Sequence, residues 1–277
     1  MQPLEFRVVD LPEASLHKTA VLVLGQHRAV LVGAGLRLSD GRRLAREVED
    51  SGRRLSAVLV PHYAPDCWLA AEVLRDAFPE ARMLAPDPVR ARIERDYPAV
   101  RAAWAGLGAE LPSRLVALEP LEGDAVELED HRLELRGASL GLPEHHYLWE
   151  HRSRTLLGGP LLWLNVHPWL ADTPDAAQRE AWIGLLDEMA ALEPLRTVPG
   201  HRHPTAPGPA APPADPTDPT DPIGWTGDYL RAFATELGKP VAADAVVAAL
   251  LHRYPSAALP ASVGPAVRTA RERSATA

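Results

Sequence analysis

The segment from Val58 to Trp68 most constrains how this chain can fold, because an apolar run passes there directly into a polar loop. The loop carries His62, Asp66 and Cys67, and a spacing of apolar residues typical of a helix follows it. Binding and catalytic side chains are often carried by loops that a rigid scaffold holds in place. The segment therefore predicts a buried strand, a functional loop and a helix in succession.

Short apolar runs alternate with helical patterns along most of the chain. Val126-Glu127-Leu128 shows the period-two alternation of a half-buried antiparallel strand. Leu44 and Val48 show the four-residue spacing of a helix face. We expect strands at residues 4–9, 20–24, 29–32, 57–60, 81–85, 114–118, 124–128, 131–135, 147–149, 155–157 and 196–201, and helices at 39–50, 68–78, 86–111 and 174–192. This order predicts an α/β protein of the layered α+β kind, with helices packed on sheets.

The C-terminal part departs from this alternation. Residues 204–222 are rich in proline, threonine and aspartate, a composition that favours an extended connector over regular structure. Two helical patterns follow at residues 225–237 and 244–254. We therefore expect one domain over residues 1–203, a Pro-rich connector over 204–222, a helical pair over 223–265 and a disordered tail over 266–277.

Composition excludes several classes of protein. A net charge of −8 at pH 7 does not supply the basic surface that nucleic-acid binding needs. No apolar run reaches the length of a membrane span, and charges among the first residues do not fit a signal peptide. One cysteine fits a reducing compartment. We expect a cytoplasmic protein without nucleic-acid or membrane partners, and leave its oligomeric state open, with a homodimer as one alternative.

A second histidine segment completes a pattern that resembles a known family. Thr197-Val198-Pro199-Gly200-His201 predicts a strand that leads to a histidine. Together with the order of elements over residues 18–204, it resembles the metallo-β-lactamase superfamily, whose histidine loop reads His-x-His-x-Asp-His. This chain keeps His62 and Asp66 but has Ala64 and Cys67 at the other two positions. The resemblance implies a four-layer αβ/βα sandwich with a C-terminal helical extension.

The resemblance also implies a metal centre, which this chain keeps only in part. Family members usually hold two zinc ions, and a bridging hydroxide attacks a carbonyl or phosphoryl centre. Ala64, Ser139 and Pro160 fall where the family has ligands. Gly33 falls near where it has an aspartate that supports the ligands by hydrogen bonding. We therefore expect the two-metal site to be lost.

Asp66, Cys67 and His201 allow more than one interpretation. They can form a residual metal site for one Zn²⁺ with water in the fourth position, since carboxylate, thiolate and imidazole are all zinc ligands. Alternatively no metal binds, Asp66 caps a helix, Cys67 is a small buried residue and His201 is a hydrogen-bonded strand-end histidine. We favour the metal-free interpretation because the bridging ligand is missing. Cys67 is also a candidate nucleophile, with His62 or His201 as its base.

The segment Pro143-Glu144-His145-His146-Tyr147 supplies further candidate catalytic residues. Glu144 with His145 or His146 can form an acid–base pair that needs no metal, and the alternative is an exposed polar loop. Because neighbouring strand residues point to opposite faces, we expect at most one of the two histidines to face the pocket. The candidate catalytic set is His62, Glu144, His145 and His146.

These observations leave three functional hypotheses. The first is a divergent hydrolase-like enzyme that acts on a small ester, lactone or thioester, with one residual metal ion or none. The second is a non-catalytic pseudoenzyme that binds a ligand or partner in the old cleft. The third is a metal-free lyase or cyclase of a small-molecule pathway. The first two place a small-molecule ligand in the cleft.

Overall fold

Two β-sheets form the centre of the fold. The computed structural model describes residues 2–203 and 221–276. Its strands are β1 (Glu5–Asp10), β2 (Thr19–Leu24), β3 (Arg28–Val32), β4 (Arg54–Leu59), β5 (Arg82–Ala85), β6 (Glu119–Pro120), β7 (Ala125–Leu128), β8 (His131–Gly137), β9 (His146–Glu150), β10 (Thr155–Leu157), β11 (Trp163–Leu164), β12 (Arg196–Val198) and β13 (His201–Arg202). The first sheet has the order β1-β2-β3-β4-β5-β6, the second has the order β12-β10-β9-β8-β7, and β11 pairs with β13.

Helices cover the outer faces of both sheets. They are α1 (Leu38–Ser51), α2 (Ala71–Ala77), α3 (Asp87–Ala103), α4 (Ala176–Ala191), α5 (Pro222–Leu237), α6 (Ala243–Arg253) and α7 (Val263–Thr276). Apolar residues of α1 and α2 pack on the first sheet, and those of α4, α5, α6 and α7 pack together beside the second. None of the helices in the described residues is long and apolar enough to cross a bilayer.

Side-chain alternation along the strands produces these layers. In β2, Val21 and Val23 point into the core between the two sheets, whereas Leu22 and Leu24 point to the helices outside the first sheet. All six residues of this strand are buried, as expected for a strand that is covered on both faces. The predicted hairpin of β2 and β3 is confirmed, and so is the layered α/β sandwich.

Several predicted elements differ from those observed. The predicted strand at residues 114–118 is absent, and a two-residue strand, β6, follows it. At the start of this segment the Glu72 carboxylate accepts hydrogen bonds from the backbone N–H groups of Ser113 and Arg114, so a side chain takes the place of a strand partner there. The helix expected at 68–78 is shorter, since a 3₁₀ turn, Pro65–Cys67, precedes it.

The C-terminal region is more ordered than the sequence analysis predicts. The expected connector falls mainly on residues outside the described part of the chain, and α5 begins at its last residue, where the Asp221 carboxylate accepts from the N–H groups of Ile223 and Gly224. The expectation of a disordered tail over residues 266–277 is wrong for its described part. Residues 263–276 form α7, and Val267 and Ala270 are fully buried in the core beside the second sheet.

Candidate functional site

The structure brings together Asp66, Cys67 and His201, the three predicted metal ligands. The turn after β4 presents Asp66 and Cys67, and β13 presents His201. The Oδ2 atom of Asp66 lies 2.6 Å from Nε2 of His201. Because an ionised carboxylate only accepts, Nε2 carries the proton. The Trp163 ring stacks on the imidazole with a centroid separation of 3.8 Å and an interplanar angle of 4°.

Lys18 joins these residues, although nothing in the sequence analysis selects it. It precedes β2, its backbone forms an isolated antiparallel bridge with His201, and it is only 4% exposed. Its side chain and that of Cys67 line a cavity of about 20 Å³, which has room for little more than one water molecule. We call Lys18, Asp66, Cys67 and His201 the lysine cluster.

The backbone before Lys18 is strained. Leu16 and His17 are consecutive non-glycine residues in the left-handed region, with φ of 61° and 53°. Such conformations cost about 1–3 kcal/mol each and persist where the surrounding structure enforces them. The backbone bonds from Arg202 N–H to the His17 carbonyl, 3.0 Å, and from Thr19 N–H to the Gly200 carbonyl, 2.8 Å, hold the segment in place.

Electrostatic interactions within the lysine cluster favour the charged forms of Lys18 and Asp66. Burial opposes the charge on Asp66, but Lys18 and His201 outweigh it and lower the pKa of the carboxyl to about 2. Burial likewise opposes the charge on Lys18, yet Cys67 and Asp66 raise its pKa. Burial raises the pKa of Cys67 to about 12 and, with Lys18, lowers the pKa of His201 to about 4. At neutral pH the cluster therefore holds an ammonium, a carboxylate, a thiol and a neutral imidazole.

This donor set does not fit a metal ion. Among residues 2–203 and 221–276, no group of three or more His, Cys, Asp or Glu side chains is arranged to hold one. Asp66 and His201 bond to each other, so Nε2 of His201 carries a proton where a metal ligand would offer its lone pair. The interpretation of Asp66 as a helix cap is also wrong, because its carboxylate bonds to His201 and α2 begins only at Ala71.

The other positions at which the family has ligands offer no replacement. Pro160 has no side-chain donor atom, and its carbonyl accepts from Nε1 of Trp163 at 2.8 Å. The Ser139 hydroxyl is buried, with no hydrogen-bond partner in the described structure.

A second group of buried polar side chains surrounds His62. The rings of His62 and His145 lie 4.7 Å apart. The N–H of Ala64 donates to Nδ1 of His62 at 3.1 Å, so the proton of the neutral ring is on Nε2. Nε2 of His62 and Nδ1 of His145 are both buried, and neither has a partner within the described residues.

His145 and His146 both lie against the histidine loop. Both are buried, and Nδ1 of His146 donates to the Pro61 carbonyl at 3.2 Å. The rule of alternating faces does not separate them, because β9 begins at His146 and His145 lies in the preceding loop. The expectation that at most one of the two histidines faces the pocket stays a prediction. Neither lines the small cavity of the lysine cluster.

A connected group of polar side chains lies beside the histidine pair through Tyr63, and we call its members the mouth residues: Tyr63, Arg92, Glu144 and Asp172. Arg92 stacks on the Tyr63 ring, 3.4 Å from its centroid, and its Nη1 lies 3.2 Å from Oε2 of Glu144. The Tyr63 hydroxyl donates to Asp172 at 3.2 Å. Arg92 thus connects the residues that adjoin His62 and His145. The predicted acid–base pairing of Glu144 is not formed, because its carboxylate pairs with Arg92.

The histidine pair is uncharged at neutral pH. Burial first, and then His145, holds the pKa of His62 well below its usual range. Burial, followed by Arg92, lowers the pKa of His145 to about 3. Such imidazoles are weak bases, but a neutral imidazole still offers one N–H donor and one acceptor. The pair is therefore better suited to hydrogen bonding than to proton abstraction at pH 7.

Comparison with known proteins identifies the family. The facing sheets and the two histidine segments define a hydrolase-like fold, and the family model of the metallo-beta-lactamase superfamily matches residues 16–201. The chain belongs to this superfamily. No curated protein sequence matches it.

Two solved structures share the fold over nearly the whole chain. A metallo-beta-lactamase family protein from Thermus thermophilus is 19% identical, with a TM-score of 0.66, and the match covers 98% of this chain and 94% of that one. A beta-lactamase domain protein from Burkholderia ambifaria is 16% identical, with a TM-score of 0.64 and coverage of 98% and 86%. At these identities the likeness shows the fold alone.

Proposed function

We propose that this protein is a metal-independent member of its superfamily that binds a small carbonyl compound, such as an ester, lactone or thioester, at His62 and His145. The observation that carries the proposal is the pair of buried nitrogens, Nε2 of His62 and Nδ1 of His145, that have no partner among the described residues. Buried polar atoms normally have a hydrogen-bond partner, and an unpaired one calls for an explanation. A ligand that bonds to these nitrogens provides one.

The chemistry of the histidine pair favours a carbonyl group. The N–H at Nε2 of His62 can donate to a carbonyl oxygen, and neutral imidazoles do not select for a full negative charge. The ligand enters on the side of Arg92 and Glu144, whose side chains are 28% and 19% exposed. The cavity beside Cys67 holds about 20 Å³ and is not lined by His62 or His145, and this volume is far below the roughly 300–1,000 Å³ typical of ligand pockets. Binding therefore requires the mouth residues to separate.

Hydrolysis of the same compound is the second candidate function, and His146 favours it. Its Nδ1–H bonds to the Pro61 carbonyl, which leaves Nε2 as an acceptor that can take a proton from water. A catalytic role of this kind requires turnover that persists in the presence of a metal chelator.

Binding measurements test the proposal. Phenyl acetate, a γ-lactone and an acetyl thioester serve as probes, and calorimetry compares the wild type with His145→Phe, which keeps a ring but removes both nitrogens. Loss of a buried hydrogen bond costs about 1–3 kcal/mol, so we expect affinity for the bound probe to fall about tenfold or more. His252→Gln, on an exposed residue of α6, serves as the matched control.

Two outcomes contradict the proposal. One is a folded wild-type protein that binds none of the probes, and the other is His145→Phe binding as tightly as the wild type. Product release by the wild type measures the hydrolytic alternative. Activity that a chelator abolishes and zinc restores would show that the protein is metal-dependent after all.

A further inference from the structure

The chain uses lysine at only two positions. All other basic residues among the 29 Lys and Arg are arginines. Lys239 lies at the surface, where its half-exposed side chain pairs with Glu236 at 2.6 Å. Lys18 is the opposite case, because it is almost fully buried and adjoins the histidine loop.

Lys18 lies among residues that occupy the family's metal-ligand positions. The residues that respond to its charge are His62, Asp66, Cys67 and His201. These four occupy the positions at which the family's motifs carry ligands, on the loop after β4 and at the start of β13. The main chain of Lys18 bridges His201, and its side chain shares a cavity wall with Cys67.

A lysine suits this position better than an arginine. Its ammonium group is a compact point charge on a flexible stem, whereas a guanidinium is a larger planar fork. The cavity beside Cys67 holds only about 20 Å³, which favours the more compact group. A buried carboxylate also needs a counter-charge, since an unpaired charge in the interior is strongly unfavourable.

We infer that the ammonium group of Lys18 takes the place of the family's metal ion: it holds Asp66, Cys67 and His201 together and excludes divalent cations from them. The inference concerns the lysine cluster and holds whether or not the histidine pair at His62 and His145 binds a carbonyl compound. Lys18 is a positioning residue in this role, because it orders the histidine loop against β13.

Paired substitutions test the charge. Lys18→Met keeps the stem and leaves Asp66 buried without its counter-charge, so we expect the unfolding equilibrium constant to rise about a hundredfold or more in urea titrations. Adding Asp66→Asn removes the unpaired charge. We therefore expect the unfolding equilibrium constant of the double variant to be at least about tenfold lower than that of Lys18→Met. The matched surface control is Lys239→Met with and without Glu236→Gln. We expect its unfolding equilibrium constants to stay within a few fold of the wild-type value.

The double variant also covers the case in which Lys18→Met does not fold. A folded Lys18→Met/Asp66→Asn protein then supports the pairing. The inference is overturned if the double variant is no more stable than the single one, because Lys18 is then not the counter-charge of Asp66.

Zinc binding tests the exclusion of metal. We expect the wild type, dialysed against zinc chloride and desalted, to retain far less than one zinc ion per chain. We expect Lys18→Met, measured at a low temperature at which it stays folded, to bind zinc at least about tenfold more tightly than the wild type. Stoichiometric zinc in the wild type, or equal affinity in the two proteins, overturns the inference.

Selective ¹⁵N labelling of lysine gives a further readout that needs no substitution. Only two lysine side-chain ammonium signals exist in this chain. We expect the ammonium protons of Lys18 to exchange with water at least about tenfold more slowly than those of Lys239. Equal exchange rates would show that Lys18 is open to solvent and would contradict a buried cation.

Discussion

Thr226 fastens the C-terminal helices to the strand that carries Trp163, and its hydroxyl group gives a stringent test of that attachment. The residue is completely buried in α5. The N–H of Trp163 donates to Oγ1 of Thr226 at 2.9 Å, and the hydroxyl donates to the Pro222 carbonyl at 2.7 Å. Thr226→Val keeps the shape of the side chain and leaves the N–H of Trp163 buried without a partner.

The expected loss follows from this unpaired donor. Leaving a buried N–H unsatisfied costs about 1–3 kcal/mol. For a domain of this size each kcal/mol lowers Tm by roughly 2–4 °C, so a cost of about 2 kcal/mol predicts a decrease of roughly 4–8 °C. Thr226→Ser keeps the hydroxyl and removes one methyl group, a loss of about 1 kcal/mol.

Urea unfolding monitored by circular dichroism measures both variants. We expect the order wild type, Thr226→Ser, Thr226→Val in decreasing stability, with an unchanged m value if the transition stays two-state. A Thr226→Val protein as stable as Thr226→Ser would refute the reasoning, because the methyl group and not the hydroxyl would then fasten α5 to the strand.

Three further predictions concern the core and the site. Gly200→Ala should lower stability by about 1–3 kcal/mol or more, because its Cβ would lie 1.9 Å from the Gly159 carbonyl oxygen. The control is Gly184→Ala in an exposed part of α4, where the added Cβ meets nothing within 4 Å. In the same urea assay it should raise stability by up to about 1 kcal/mol. Cys67, fully buried and with its pKa raised by burial to about 12, should react with iodoacetamide only upon unfolding, and rapid labelling of the native protein would disprove this. Burial and Arg92 lower the pKa of His145 to about 3, so only the unfolded state takes up a proton at this residue as the pH falls from about 6.5 towards 3. The free energy of unfolding should therefore decrease by up to about 1.4 kcal/mol per pH unit in this window. When urea midpoints are compared at pH 7 and 4.5, His145→Phe should lose less stability than the wild type.

Local patterns predict much of the fold. The hairpin of β2 and β3 and the helix α1 follow from short-range alternation and spacing, which burial on one or two faces imposes directly. The helix α7 was predictable in the same way, because Val263, Ala266, Val267 and Ala270 recur at helical spacing. Its assignment to a tail rested on its place near the C-terminus and not on its pattern.

The candidate site is predictable only in part. The segments that carry Asp66, Cys67 and His201 have recognisable sequences, and the structure brings them together. The role of Lys18 depends on residues far along the chain, since a lysine is buried only where a distant carboxylate compensates its charge. The pairing of Glu144 with Arg92 of α3 is also a tertiary contact. Whether a residue such as His145 belongs to β9 or to the loop before it is a boundary of one residue, and element boundaries of that accuracy are not encoded locally.

The shared core beside the second sheet has a consequence for biosynthesis. Trp182, Leu186 and Met189 of α4 belong to the same apolar core as Val267 and Ala270 of α7. As the ribosome extends the chain, the apolar face of α4 emerges long before α7, the last helix that contributes to this core. During that interval the nascent chain exposes a surface that chaperones bind and that favours aggregation. Final folding of this layer therefore awaits the synthesis of α7, and substitutions in α7 should reduce the yield of soluble protein in cells.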